Sequence, residues 1–140
     1  MKQLKYTVQI DATPAKVWET LWNVATYRKW TAAFQEGSWY EGTLEEGSIV
    51  KMFDPENNGM YNRVLKNVPE REMAFKHLGW IYDGVESPQD WEDSTETYQL
   101  EDIGGGTLLT AKVNALDEFV GFYESKFPQA LQNIKDISEV

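Results

Sequence analysis

The sequence predicts one α+β domain over residues 1–140: a curved antiparallel sheet of about seven strands wrapped around a long C-terminal helix, with two short helices after the first strand. Three patterns carry that prediction. Leu4, Tyr6, Val8 and Ile10 alternate with Lys5, Thr7, Gln9 and Asp11, the period of a strand with one dry face. Residues 38–113 hold short apolar runs divided by turn-forming residues, which argues for an antiparallel meander over crossover units. From about Asp117, the residues Phe119, Phe122, Tyr123, Phe127, Ala130, Leu131, Ile134 and Ile137 recur at three- and four-residue steps, one wide apolar stripe on a helix.

The elements follow in chain order. After the first strand, Thr13 can cap a helix and Pro14 suits its first turn, with Val17, Trp18, Leu21, Val24 and Ala25 at helical spacing. Lys16 stands where a capping box would have Glu. A second short helix is expected over Tyr27–Phe34. Strands are expected at Trp39–Leu44, Ser48–Asp54, Met60–Val68, Arg71–Leu78, Ser94–Glu101 and Thr107–Val113. Turns fall at Glu46-Gly47, at Asn67–Glu70, at the glycines 104–106 and at Asn58-Gly59, the strongest hairpin signal in the chain. The run Asp83–Glu96 carries six acids and no Lys or Arg, and reads as a solvated loop leading into a strand. Pro128 lies inside the last helix and should kink it near Ser125–Phe127. That helix is the only element long enough to cover the sheet, since about 20 residues span roughly 30 Å. Where a curved sheet meets a rod the fit is imperfect, and a hollow can remain between them.

Composition narrows the chemistry. The chain has no Cys, so disulfides, thiolate metal sites and cysteine nucleophiles are excluded, and one His excludes multi-histidine metal centres. A formal charge of -10 makes it a poor partner for nucleic acid or anionic lipid surfaces. No stretch approaches the roughly 20 apolar residues of a membrane helix, and the polar-interrupted N-terminus does not read as a signal peptide. A cytoplasmic location is the resulting expectation. Neither a metal nor another cofactor is called for by any motif. Asp54–Gly59 echoes a calcium loop, but Leu65 stands where the bidentate acid belongs, so a hairpin turn is the better reading. The glycines at 104–106 precede a strand, not a helix, and so offer no phosphate cradle. No serine sits in a nucleophile elbow.

Several runs carry a family resemblance. Thr13-Pro14-Ala15-Lys16-Val17-Trp18, Tyr27-Arg28-Lys29-Trp30-Thr31 and Phe34-Gln35-Glu36-Gly37-Ser38 resemble the opening of START-like, helix-grip (SRPBCC) proteins. Phe127-Pro128-Gln129-Ala130-Leu131-Gln132-Asn133-Ile134-Lys135 is similar to the last helix of the branch named after homologues of the activator of the heat-shock-90 ATPase. Thr95-Glu96-Thr97-Tyr98 and Gly106-Thr107-Leu108-Leu109-Thr110 sit where its last two strands would lie. The resemblance spans essentially the whole chain and rests mostly on packing residues. It implies a seven-stranded sheet gripping the last helix, an internal apolar cavity and a hydrophobic or amphipathic small-molecule ligand. As alternatives it implies a cyclase, dehydratase or hydrolase, or a chaperone-linked interaction module; a homodimer is a further possible state.

The candidate site follows from strand parity. Met73, Phe75 and His77 share one face of their strand; if it is the inner face, the only imidazole points into the cavity, where it suits ligand orientation or proton transfer. Phe53, Tyr61, Tyr98, Phe119, Phe122 and Tyr123 are the other expected lining residues, with Trp30, Phe34 and Trp39 near the entrance. The tyrosine hydroxyls would be polar anchors, and Glu41 is a possible inward acid. Empty core volume costs on the order of 24 cal/mol per Å³, so a void of about 300 Å³ is either filled by rings or kept for a ligand. A binding domain is favoured over an enzyme on these residues, because no catalytic set can be assigned.

Overall fold

The computed structural model describes all 140 residues. Strand β1 (Lys2–Ile10) leads into helices α1 (Pro14–Trp22) and α2 (Val24–Trp30) and a 3-10 turn over Thr31–Ala33. Strands β2 (Trp39–Glu41), β3 (Ile49–Phe53), β4 (Gly59–Val68), β5 (Glu72–Tyr82), β6 (Val85–Pro88), β7 (Thr95–Asp102) and β8 (Thr107–Ala115) follow. A 3-10 turn at Asp117–Phe119 opens helix α3 (Val120–Ser138). All strand pairs are antiparallel, in the order β1-β8-β7-β5-β4-β3-β2, with β6 paired to the far end of β5. The predicted fold class holds, with eight strands.

Local chemistry explains the helical corner. The Thr13 hydroxyl accepts from the Lys16 N–H at 3.2 Å, and Pro14 takes the first turn, where no donor is needed. Asn23 ends α1 and caps α2 by accepting from the Ala25 N–H at 3.0 Å, so α2 begins at Val24, earlier than the expected Tyr27. The corner is pinned by the Trp30 indole N–H, which donates to the Leu21 carbonyl at 3.0 Å, and by the Tyr40 hydroxyl, which donates to the Trp22 carbonyl.

Helix α3 lies against β1, α1 and α2, and its second half drives Phe127, Ala130, Leu131 and Ile134 into the core. Tyr6 of β1 stacks on Phe127 with ring centroids 4.9 Å apart. The helical assignment is unbroken through Pro128. The first half of α3 is different: Gly121, Phe122, Glu124 and Ser125 are exposed and Tyr123 is only partly buried. The interior is therefore solid under the second half of the helix and hollow under the first.

The acidic run was expected to be a loop, yet Val85–Pro88 form β6. Asp83 and Gly84 both have positive φ, the geometry of a two-residue hairpin turn that suits an Asp-Gly pair. Asn58-Gly59 does mark the β3–β4 hairpin, but the left-handed residue there is Asn57. Gly59 instead opens β4, where a Cβ would stand 1.8 Å from the Met52 carbonyl oxygen.

Candidate functional site

The hollow consists of two adjoining lobes of about 290 and 460 Å³, between the concave face of the sheet, the α1–α2 corner and the first turns of α3. Met60, Trp80, Phe122 and Tyr123 border both. The first lobe has a deep wall of buried rings, Trp22, Tyr27, Trp30 and Tyr98, and a mouth at Phe34, Gln35 and Phe122. Phe34 and Phe122 face one another there, with centroids 6.2 Å apart. The second lobe lies where β5 changes neighbours, from β7 through Lys76 to β6 from Gly79. His77, Ser94, Trp91, Phe119 and residues 114–116 enclose it.

Eight of the twelve predicted site residues border these lobes. Phe53, Tyr98, Trp30 and Phe34 border the first, His77 and Phe119 the second, and Phe122 and Tyr123 both. Trp30 is only 2% exposed, so it belongs to the deep wall, not the entrance. Met73 and Phe75 lie on the inward face but are core: Phe75 presents to Trp22 at 5.5 Å, and both are closed off from the void. Trp39 stacks on Phe53 at 5.1 Å, away from the lobes. Tyr61 is on the outer face. It pairs in register with Lys51 and Gly79, and its ring covers Gly79, where a Cβ would meet Tyr61 Cε1 at 2.9 Å. Met60, Asn62 and Val64 are the inward set of β4, an alternation hidden in the sequence by the adjacent apolar pairs Met60-Tyr61 and Val64-Leu65. Glu41 is exposed, at the end of β2.

The inward acid is Glu96, its side chain 14% exposed. It lies at the end of the acidic run, but on β7 it shares a face with the buried Tyr98 and Leu100. That parity was the available signal: a carboxylate two residues before a buried tyrosine on an alternating strand points inward.

Four side chains form a polar seam between the lobes. Asn62 donates its amide N–H to the Val50 carbonyl at 3.4 Å, which turns its Oδ1 toward His77. Oδ1 therefore accepts from His77 Nδ1–H, and this assigns the ring proton to Nδ1. Nε2 then faces Glu96 Oε1 at 3.5 Å without a formed hydrogen bond. The Tyr98 hydroxyl donates to Glu96 Oε2. Nε2 is thus the imidazole atom left without a hydrogen-bond partner, and it is the one turned toward the carboxylate. Burial first, and the Glu96 carboxylate second, hold the Tyr27, Tyr98 and Tyr123 hydroxyls above the ordinary phenol range. Trp22 Nε1, also buried and beside the first lobe, has no partner. No three acidic or histidine side chains gather into a metal-ligating cluster. No helix is long and apolar enough to cross a membrane.

Chemically, the site is an apolar, aromatic chamber with one acid–imidazole pair in its wall. Solved structures share its architecture. The Aha1 dimer from Colwellia psychrerythraea is 22% identical, with 100% of this chain and 98% of that chain covered and a TM-score of 0.77. Protein MLL2253 from Mesorhizobium loti is 14% identical over 97% and 96% of the two chains, with a TM-score of 0.76. Protein CV1439 from Chromobacterium violaceum is 14% identical over 100% and 99%, with a TM-score of 0.73. These likenesses are of fold. A comparison with curated proteins finds no match. The family model described as polyketide cyclase / dehydrase and lipid transport matches residues 1–137, and with the gripped helix and the hollow beneath it, this places the chain in that family within the START-like superfamily.

Proposed function

We propose that the protein binds a hydrophobic or amphipathic small molecule in the two-lobed cavity, with the Glu96–His77–Tyr98 seam as its polar anchor. The observation that carries this is the chamber itself: an aromatic wall with few polar groups, left open where α3 could have filled it. Met73, Phe75, Phe127 and Leu131 show that the same sheet and helix close into solid core elsewhere. The test is a thermal-shift screen of lipophilic probes, followed by titration on the fluorescence of Trp22, Trp30 and Trp80 in the wall. A probe at 100 times its Kd should stabilise the protein by about 2.7 kcal/mol. Met60→Trp, which fills the junction of the lobes, should keep the fold and lose that shift. Binding that survives the filled junction would refute the location.

A second reading rests on the same pair. A buried imidazole nitrogen 3.5 Å from a carboxylate in a cavity wall is an acid–base set, and it supports proton transfer on a bound molecule. Its test is turnover of an aryl β-hydroxy ketone, read as appearance of the conjugated enone, in the unsubstituted protein and in His77→Ala. Equal turnover in the two would sink it.

A further inference from the structure

We propose that the first lobe is built for an organic cation, an aromatic or aliphatic body bearing an ammonium group. This rests on the small-molecule reading above and adds the sign of the ligand's charge. Neither lobe has a Lys or Arg in its wall, whereas Glu96 and Asp54 both border the first lobe. The only other ionisable nitrogen, on His77, already faces Glu96 at 3.5 Å, so the pair is at most neutral and Asp54 leaves the lobe net negative. An entering carboxylate or phosphate would lose its hydration and find no counter-ion.

The rings act in the same direction. Tyr27 and Trp30 lie 5.4 Å apart, Trp30 and Tyr98 5.9 Å, and Trp22 and Tyr98 5.3 Å, each pair edge to face. Together they form one contiguous wall of four buried rings beside a carboxylate. Aromatic faces carry the negative end of the ring quadrupole and attract an ammonium, most strongly where water is excluded. The field of Glu96 reaches across this wall, since its charge opposes ionisation of Tyr27, Tyr98 and Tyr123 alike. The unpartnered, buried N–H of Trp22 is the one orphaned donor of the lobe, and it suits an ether, hydroxyl or carbonyl oxygen on the same ligand.

The experiment compares three probes of one shape: (2-naphthylmethyl)trimethylammonium, its neutral carbon isostere 1-(2-naphthyl)-2,2-dimethylpropane, and 2-naphthylacetate, each titrated by tryptophan fluorescence and calorimetry. The ammonium should bind about tenfold more tightly than the neutral isostere, and the carboxylate most weakly. Asp54→Asn, which removes the charge that leaves the lobe net negative and keeps the Oδ1 acceptor of the turn, should remove most of the ammonium's advantage, read as the ratio of ammonium to neutral-probe affinity in that variant. Equal or tighter binding of the neutral or anionic probe would overturn the charge assignment and leave the cavity reading standing. Binding of none of the three would overturn both. An ammonium preference undiminished in Asp54→Asn would overturn the charge assignment.

Discussion

If the Glu96 side chain is what satisfies the buried Tyr98 hydroxyl, then two substitutions at position 96 must differ sharply. Glu96→Gln keeps the shape and supplies both missing partners. Its amide oxygen accepts from the Tyr98 hydroxyl, and its amide N–H donates to the Nε2 lone pair of a neutral His77 whose Nδ1–H already serves Asn62. No buried group is orphaned, so the expected change in unfolding free energy is within about 1 kcal/mol. Glu96→Ala leaves the Tyr98 hydroxyl, on a residue 1% exposed, with nothing to bond, while His77 Nε2 loses no hydrogen bond. An orphaned buried group costs about 1–3 kcal/mol, so the loss should be of about that size. Urea unfolding followed by tryptophan fluorescence measures both values. His77 is the only histidine, so its imidazole nitrogens give an unambiguous NMR signal, which should show the Nδ1–H tautomer in Glu96→Gln. Glu96→Gln as damaging as Glu96→Ala, or a ring protonated on Nε2 alone, would refute this account of the seam.

Other consequences are simpler to state. Gly59→Ala should cost at least about 2 kcal/mol in urea unfolding, because its Cβ would fall 1.8 Å from the Met52 carbonyl oxygen, which cannot retreat without breaking the β3–β4 pairing. Stability should fall as pH rises above 10.0, the ordinary tyrosine value: Tyr27 and Tyr98 stay protonated in the fold and ionise in the unfolded chain, so the native state binds more protons. Two such groups give a slope of about 3 kcal/mol per pH unit, read as a falling urea midpoint with their share of the 295 nm phenolate absorbance appearing only on unfolding. Thr13→Ala removes the cap at Lys16 N–H and should cost about 1 kcal/mol by the same urea assay.

The parts of the fold legible in the sequence are those set by short-range chemistry. Thr13-Pro14 marked the start of α1, the alternation from Leu4 to Ile10 marked β1, and the stripe from Phe119 to Ile137 marked the helix in the grip. The site was legible where strand parity ran undisturbed: Glu96, Tyr98 and Leu100 keep one face along β7, and Met73, Phe75 and His77 along β5. Glu96 is hidden by its neighbours, since six acids in one run suggest solvent and their composition masks the parity of the strand. Tyr61 is hidden for the opposite reason. Met60, Tyr61, Val64, Leu65 and Val68 have no clean period of two: Tyr61 is a ring on the outer face, laid over Gly79, and the bulge at Leu65 adds a residue whose side chain is 46% exposed. Whether an inward ring lines a void or fills it depends on the helix opposite. Phe75 meets Trp22, while Tyr98 borders open space, and no local pattern distinguishes them.

A second irregularity decides where the chamber divides. Asn62 pairs with His77 and Tyr61 with Gly79, so Leu78 is an extra residue in β5. Up to that point the odd-numbered residues Met73, Phe75 and His77 face inward. Beyond it Trp80 does, opposite Met60, while Gly79 turns outward beneath Tyr61. Without the extra residue, parity would aim Gly79 inward and remove the ring that now borders both lobes. At the same place β5 leaves β7 for β6, and the backbone closes the seam with His77 N–H donating to Ser94 at 2.8 Å and Gln89 N–H donating to Leu78 at 3.0 Å. One inserted residue thus turns a large indole into the chamber and opens the sheet beside the only imidazole. The polar pair and the partition between the lobes are two results of the same bulge, which is why His77 and Trp80, three positions apart on one strand, both border the second lobe.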